Sequence, residues 1–455
     1  VILFVCQHGS AKSLIAATHL NRLAEQRGLP VRATSAGLEP DAEVPQHVID
    51  GLANDGIDVL EYRPALLTSA KLLQAARIIS IGCDVESIAT GAASVERWYD
   101  LPMVSDGYEN ARNAIVARVA QLLDTWRPPM RFLSRHDVRA LLDVTSCIEA
   151  VEAAFRLHAA GASIGPGVLA THVIGGGFHV KAAGLTGKRA YYAAKVNGNF
   201  PDNPRSQNLP TIQGVITLFD ATNGTPLAIM DSIEITCLRT AAASAIAAKY
   251  LSRDDAQVLT IIGCGAQALP HVRALSAVRS LRRVFAYDIE DRRVAALVRD
   301  AEQLGIEITV VAADYHAAVR VSDMVVTCTP GRVPLLTRGD LPEGAFLAAV
   351  GADSEDKREL DPSLLADSAV VVDILEQCAT IGELHHAVAA GVLTRDDVRG
   401  DLASLVSGQY AGRRSRHERV IFDSTGTALQ DVAAAAVVYE RACNVGAGTE
   451  LQISE

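Results

Sequence analysis

Residues 258–268 read VLTIIGCGAQA, an apolar β-type run that ends in Gly263-Cys264-Gly265-Ala266-Gln267-Ala268 and opens directly into a helical pattern, PHVRALSAV. With G-x-G-x-x-A between strand and helix, Gly263 permits a tight turn and Gly265 lets the backbone approach a pyrophosphate. Ala268 lets the helix pack closely on the strand, and Ala266 and Gln267 complete the loop. A second apolar run, RVFAYD, ends in Asp288, twenty residues after Ala268, where an acid accepts hydrogen bonds from the adenosine ribose hydroxyls. The combination predicts a bound nicotinamide dinucleotide, NAD in preference to NADP. Arg292 and Arg293 follow closely and could receive a 2′-phosphate, which leaves NADP open.

The rest of the chain sets bounds on that reading. At 455 residues it is too long for one ordinary core, and two or three domains are expected. A composition of 49% hydrophobic and 21% charged residues suits a globular protein, while only 5% aromatics offers no stacking surface for single-stranded nucleic acid. The net charge of −11, with no basic block to offset it, opposes binding to nucleic acid or to an anionic membrane. No apolar run reaches the roughly 18 residues needed to span a bilayer. The start, VILFVCQHGS, lacks the basic and long apolar regions of a signal peptide. Eight scattered cysteines without a C-x-x-C pair predict reduced thiols and a cytoplasmic location.

TWRPPMRFLSRHD, residues 125–137, reads as the main boundary, because two prolines interrupt a helical stretch and a new pattern follows. Before it, strands VILFV, VRATSAG and RIISIG alternate with helices, which implies a small α/β domain with a parallel sheet. After it, strands are expected around HVKAAG, RAYYAAKVN and GVITLFDA, with a hairpin turn at Thr222–Pro226. The helix EITCLRTAAASAIAAKYL leads into the glycine loop, and its small residues predict close packing in a core or at a subunit interface. Strands ITVVA, MVVTCT, FLAAVG and AVVVD continue a Rossmann pattern, and the last helix, LQDVAAAAVVYERACN, returns to pack on the first half of this part. The fold class is thus α/β throughout. Residues 1–126 form a parallel-sheet domain, residues 131–250 with 425–455 a substrate and dimerisation domain, and residues 251–424 the Rossmann domain.

Cys6-Gln7-His8-Gly9-Ser10-Ala11-Lys12-Ser13 follows the first strand and precedes a helix, a position where backbone N–H groups would stabilise a thiolate and bind an oxyanion. With Thr34-Ser35-Ala36-Gly37, Trp98 and Asp100-Leu101-Pro102, this stretch resembles the low-molecular-weight tyrosine phosphatase and arsenate reductase superfamily, whose loop is C-x5-R-S. The resemblance makes Cys6 the candidate nucleophile and likens the surroundings of Cys83 to the place of a redox cysteine. Two departures predict a degenerate site. The arginine of the loop is Lys12, which removes the bidentate fork for a tetrahedral anion. The Asp-Pro pair of the general acid is broken, with Asp100 and Asp106 as imperfect substitutes.

Downstream, AAKVNGNFPDN (193–203), NLPTIQGVITLFDATNGTPLAIMD (208–231), LRTAAASA (238–245), VGADSEDKREL (350–360) and FDSTGTALQD (422–431) occur in order around the glycine loop. Residues 131–455 thereby resemble the ornithine cyclodeaminase/μ-crystallin family, which includes alanine dehydrogenases and ketimine reductases. The resemblance implies a homodimer acting on an amino or imino acid, with Arg239 at the substrate carboxylate, Lys195 at the substrate to pair with the carboxylate or assist proton transfer, and Asp353 as the acid/base. It also implies Thr211, Thr329 and Ser424 as further cofactor contacts. The chemistry itself asks for a cation, an acid/base and a dry cleft beside the nicotinamide. Arg239 in an apolar helix is costly to bury unless it meets an anion. An arginine common in the family after a proline is here replaced by Gly167, and Lys181, where relatives often carry Met, is expected to supply the missing cation from a neighbouring strand. His179, two residues away, is expected either to line the pocket or to sit satisfied in the core.

Glu376-Gln377-Cys378 and Gly382-Glu383-Leu384-His385-His386 invite a metal reading, but adjacent helical histidines diverge by about 100°, and no metal is expected. The leading functional expectation is NAD(H)-dependent oxidoreduction at the α-carbon of an amino or imino acid. The alternatives are ornithine cyclodeamination with NAD recycled, and a nucleotide-dependent ligand-binding protein without turnover.

Overall fold

A computed structural model of the chain describes residues 1–451 apart from 28, 30, 87, 89–94, 126–128 and 311–313. Residues 126–128 of the proline-rich boundary and 311–312 of the ITVVA run lie outside the described residues. The chain divides into two units, Val1–Pro128 and Pro129–Glu455. No helix among the described residues is long and apolar enough to cross a membrane.

In the first unit, β1 (Ile2–Cys6), β2 (Ala33–Gly37), β3 (Arg77–Ile81) and β4 (Val95–Trp98) form a parallel sheet in the order β2-β1-β3-β4. β1 is buried along its whole length, as a central strand covered on both faces must be. The Lys12–Gln26 helix buries Leu14, Ile15 and Leu20 against one face of the sheet. The loop bearing Cys6 leaves the carboxyl end of the central strand, where sites of parallel sheets gather.

The second unit carries two sheets. The first is mixed: β5 (Met130–Leu133), β6 (Ser163–Val173), β7 (Gly176–Thr186), β8 (Ala190–Asn199), β9 (Ile212–Asp220), β10 (Pro226–Asp231) and the late β19 (Thr449–Leu451), in the order β19-β5-β10-β9-β8-β7-β6. The Thr222–Pro226 turn joins β9 to β10 as an antiparallel pair, with Gly224 at φ +76. The second sheet has eight parallel strands: β11 (Val258–Ile262), β12 (Arg283–Tyr287), β13 (Ile308–Val310), β14 (Met324–Thr327), β15 (Phe346–Ala349), β16 (Ala369–Val372), β17 (Gly400–Asp401) and β18 (Val420–Asp423). Their order, β13-β12-β11-β14-β15-β18-β16-β17, reverses direction between β11 and β14, which places a crevice at the carboxyl ends of those two strands.

Two helices tie the sheets together. The Ser232–Leu251 helix starts two residues earlier than the pattern EITCLRT suggests, capped by Asp231, which accepts from Ile233 N and Glu234 N. Its alanines are buried inside the unit's own core, against the Ala268–Val278 and Val144–Ala159 helices. The Ala428–Val445 helix packs on β7, β8 and the Val144–Ala159 helix. Chain that has just left the Rossmann-like sheet at β18 thus returns to the mixed sheet, and the junction at 424–427 joins the two layers.

Candidate active site

The face of β7 and β8 turned towards that junction carries an unusual load of charge. In the antiparallel register Lys181 stands directly opposite Lys195, and both are buried. Two ammonium groups side by side away from water need anions or strong acceptors. Lys195 finds Asp431, whose Oδ2 lies 2.8 Å from its Nζ. Arg239, in the third turn of the Ser232–Leu251 helix, directs Nε to Oδ1 of the same aspartate at 2.9 Å and Nη1 to Gln430 Oε1 at 2.5 Å. Lys181 instead donates to two backbone carbonyls of the junction, Thr425 O at 3.0 Å and Gly426 O at 2.7 Å. Gly426 has φ +71, and a Cβ there would run into the Arg239 guanidinium, so only glycine fits this turn.

The electrostatics follow from the burial. Burial pushes Lys195 down to about 7, Arg239 adds to the shift, and Asp431 opposes it. Lys181 is lowered by the same two causes in the same order. Burial resists ionisation of Asp431, but Lys195 and Arg239 outweigh it and hold the carboxyl below its ordinary value. In the sequence Asp431 is only one acid in an alanine-rich helix, and no local signal marks it as the shared counter-ion of both predicted cations.

Asp353 lies four residues beyond the end of β15, and its carboxylate takes a 2.6 Å ion pair from Lys357. The side chain is about half exposed, 48%, in the open cleft; the protein packed around it resists its ionisation, and Lys357, helped by Lys181 and His179, prevails and keeps the carboxyl below its ordinary value. Lys357 is itself held through its carbonyl, which lies 2.8 Å from His386 Nε2. His179 shares the face of Lys181, is half-buried, and has its basicity lowered first by burial and then by Lys181, with Asp353 opposing. Its neighbours are thus Lys181 and Asp353, and it is not fully enclosed in the core. One expectation needs correcting. Gly167 pairs with Ala182, while Lys181 pairs with Val168, so a side chain at 167 would leave the opposite face of the sheet. Lys181 belongs to the site, but register does not make it a stand-in for position 167.

The glycine loop takes the geometry its spacing requires. Gly263 has φ +100, and a Cβ on it would come within 2.9 Å of Thr329 Cγ2 and Cys328 O. Gly265 is different: a Cβ there would meet nothing within 4 Å, so the loop's outer side is open in front of the N-terminus of the 11-residue Ala268–Val278 helix. Gly265 and Ala266 are exposed, Ala268 is buried against β11, and the Gln267 carbonyl takes the Nδ1 side of His271 at 2.7 Å. Burial pushes His271 down to about 4, so it remains neutral while its Nε2 meets Ser244 of the Ser232–Leu251 helix. Asp288 follows β12 directly and accepts from Cys264 N at 2.8 Å and from Glu290 N at 2.9 Å. Both arginines beyond it pair with Glu290. An open glycine, a helix N-terminus and an acid at the next strand fit a dinucleotide.

Of the remaining expected contacts, Thr329 and Ser424 sit at the carboxyl edge of this sheet. Thr329 donates its N–H and hydroxyl to Glu359, which also accepts from Gly351 N, so this buried acid clamps the ends of β14 and β15 together. Ser424 donates to Asp373 at 3.2 Å. Thr211 lies ahead of β9 on the mixed sheet, its carbonyl accepting from Phe200 N at 2.8 Å, and no described hydrogen bond joins it to the glycine loop. The Glu376–His386 stretch is supporting structure. Gln377 holds Thr425 and Gly426 O, and Glu383 accepts from Glu359 N and Leu360 N. No group of three metal-ligating side chains occurs among the described residues.

In the first unit, Cys6 Sγ accepts from Gly9 N at 3.2 Å and lies 3.0 Å from Ser13 Oγ. Lys12 lies near enough to Cys6 for the thiol to act on its charge, but its described hydrogen bonds go to Leu101 O, at 2.9 Å, and to Met103 Sδ. Asp100 pairs with Arg118 and Asp106 accepts from Ser105, and no described hydrogen bond or ion pair joins either to Cys6. Burial first, then Cys6, pushes the Cys83 thiol up to about 11.

Comparison with known proteins agrees with this layout. A model of the "Ornithine cyclodeaminase/mu-crystallin family" matches residues 130–446, and one of "Low molecular weight phosphotyrosine protein phosphatase" matches residues 1–88. An alanine dehydrogenase from Archaeoglobus fulgidus is 38% identical over 320 residues, covering 70% of this chain and 97% of its own length. Among solved structures, an archaeal alanine dehydrogenase dimer with bound NAD superposes with a TM-score of 0.68 at 38% identity, covering 71% of this chain and 99% of that one. The Δ1-pyrroline-2-carboxylate reductase of Thermococcus litoralis, in complex with NADH and L-proline, does so with a TM-score of 0.68 at 32% identity, covering 71% of this chain and all of that one.

Proposed function

The chain belongs to the ornithine cyclodeaminase/mu-crystallin family, and on that premise we propose that residues 131–455 form an NAD(H)-dependent oxidoreductase acting at the α-carbon of an amino or imino acid. The observation that carries this reading is the pair Lys195–Arg239 on one buried aspartate, with Lys181 directly opposite Lys195 and Asp353 acting on Lys181 from beyond the end of β15.

When bound, the nicotinamide supplies or receives the hydride at the α-carbon. Lys195 and Arg239 hold the substrate carboxylate with donors not spent on Asp431 and Gln430. Asp353, kept ionised by Lys357, takes a proton from the amine nitrogen in the oxidative direction and returns it in the reductive one. The loop Gly263–Ala268 receives the pyrophosphate and Asp288 the ribose hydroxyls, with Thr329 and Ser424 at the edge of the crevice and Thr211 reaching it from the mixed sheet. Engagement of Arg292 and Arg293 by Glu290 favours NAD over NADP. Residues 131–250 with 425–455 are the substrate and dimerisation part, and 251–424 the dinucleotide part.

Two copies join through the outer face of the mixed sheet in this reading. There Leu169, Val180, Val196 and Val215 line up across four strands on the side away from the lysines, three of them exposed, with exposed Phe178 alongside. The first unit is a degenerate phosphatase-like domain, since Lys12 spends its ammonium on a backbone carbonyl.

The deciding experiment follows NADH absorbance and ammonia together across a panel of amino acids with NAD and imines with NADH. A net absorbance change carries the proposal. Ammonia release without net change makes the chain a cyclodeaminase, and tight NADH binding with no turnover makes it a binding protein. Hydrolysis of para-nitrophenyl phosphate that disappears in Cys6→Ser would overturn the degenerate reading of the first unit.

A further inference from the structure

The peptide between Thr425 and Gly426 stands between a buried cation and a buried acid. Its carbonyl accepts from Lys181 Nζ at 3.0 Å, and its N–H donates to Asp373 Oδ2 at 2.7 Å. A planar trans peptide points these two groups in opposite directions, so the ammonium and the carboxylate face each other across it. Rotating the peptide by half a turn would aim its carbonyl at the carboxylate and its N–H at the ammonium. The charges on both sides therefore favour a single orientation. The next carbonyl, Gly426 O, is shared by Lys181 Nζ at 2.7 Å and Gln377 Nε2 at 2.9 Å. Lys181 belongs to β7 of the mixed sheet, whereas Asp373 and this turn follow β16 and β18 of the parallel one, so the contact spans the two sheets.

Asp373 is fully buried, and its oxygens accept from Ile374 N, Ser424 Oγ, Thr425 Oγ1 and Gly426 N. Three of these donors lie in the turn, so the acid holds the turn as a unit. Burial and Arg239 lower the basicity of Lys181, and Asp353, Asp431 and Asp373 oppose them. Of those three acids, Asp373 is the one joined to Lys181 through a shared peptide. The turn matters for the substrate because Gly426 lies against the Arg239 guanidinium with no room for a Cβ. Arg239 spends Nε on Asp431 and Nη1 on Gln430, and no hydrogen bond among the described residues uses Nη2. Holding the turn thus holds the wall behind the cation that meets the substrate carboxylate.

We propose that Lys181 and Asp373 form an ion pair bridged by the 425–426 peptide, and that Asp373 is a positioning residue: with Lys181 it fixes the turn that seats Arg239, and so sets the affinity for the substrate carboxylate. The effect on the substrate rests on the function proposed above; the bridge itself does not. Two readouts on the full chain separate them. The first is hydrogen exchange at the Gly426 N–H, followed by mass spectrometry with fragmentation. Lys181→Met leaves the acceptor of that N–H in place, so a lysine that merely fills space gives unchanged exchange, whereas the bridge gives exchange at least tenfold faster. The second is KM for the best substrate of the panel in Lys181→Met, Asp373→Asn and the double variant. Each single change is expected to raise KM at least tenfold, and the double to raise it no further than the larger single one, because both act through one peptide. Effects that multiply in the double variant, or a wild-type KM in either single one, overturn the proposal. Where one variant does not fold, the other decides alone, and a wild-type KM in it overturns the proposal. No turnover by the wild type, with faster exchange in Lys181→Met, overturns the oxidoreductase and leaves the bridge standing. Turnover by the wild type with unchanged exchange in Lys181→Met overturns the bridge and leaves the oxidoreductase standing.

Discussion

Asp353 and Lys195 answer unlike surroundings in opposite ways: the Asp353 side chain is about half exposed, whereas Lys195 is buried. Asp353 stays ionised because Lys357 lies 2.6 Å away, whereas Lys195, crowded by Arg239, is pushed towards neutrality despite its contact with Asp431. Asp353→Asn keeps the shape and removes the proton acceptor, so kcat should fall by about 10²–10⁴-fold with NADH affinity unchanged, as read by nucleotide fluorescence titration. A comparable loss of NADH binding would show that Asp353 acts on the cofactor site instead. For Lys195 the sign is set by its partner. A substrate carboxylate prefers the protonated amine, so kcat/KM in the reductive direction should decline as pH rises through about 7. Lys195→Arg, which does not titrate in this range, should abolish that decline. A limb that persists in the arginine variant belongs to another group.

The glycine loop was readable at the level of the element because everything it needs is local: a strand, two glycines at fixed spacing, an alanine and a helix start. Its two glycines serve different ends. A Cβ at Gly263 would meet Thr329 and Cys328 in a backbone of φ +100, so Gly263→Ala should cost about 1–2 kcal/mol from backbone conformation alone, more with the collision, and lower Tm. A Cβ at Gly265 would meet nothing within 4 Å, so in Gly265→Val Tm should hold while NADH affinity falls at least tenfold. Equal NADH affinity in Gly265→Val would remove the dinucleotide from this loop. The Ala428–Val445 helix was equally readable as a helix, but the role of Asp431 within it was not. Its partner Lys195 is 236 positions away, and no local pattern carries such a distance. The roles of Glu359 and Gln377 are hidden for the same reason, since these side chains hold the ends of other strands and loops.

At the scale of the whole molecule, the proposed function gives the mixed sheet one face for chemistry and one for assembly. The period of two along β7 and β8 sends Lys181 and Lys195 inward and Val180 and Val196 outward. Glutamate at both Leu169 and Val196 should therefore convert a dimer into a monomer in light-scattering measurements and leave the Gly263–Ala268 loop intact. A dimer that survives the double substitution must use another surface. By itself, the sequence determined the two kinds of α/β unit, the glycine loop between strand and helix with Asp288 at the end of the next strand, and which of its cations and acids to suspect, because periodicity and short motifs encode those features locally. Only the tertiary structure decided that Lys195 and Arg239 share Asp431, that Lys12 hydrogen-bonds Leu101 O, and that Lys181 faces Val168 and not Gly167. Pairing across sheets and the cost of burying charge are properties of how distant segments meet, and no single stretch of the chain contains them.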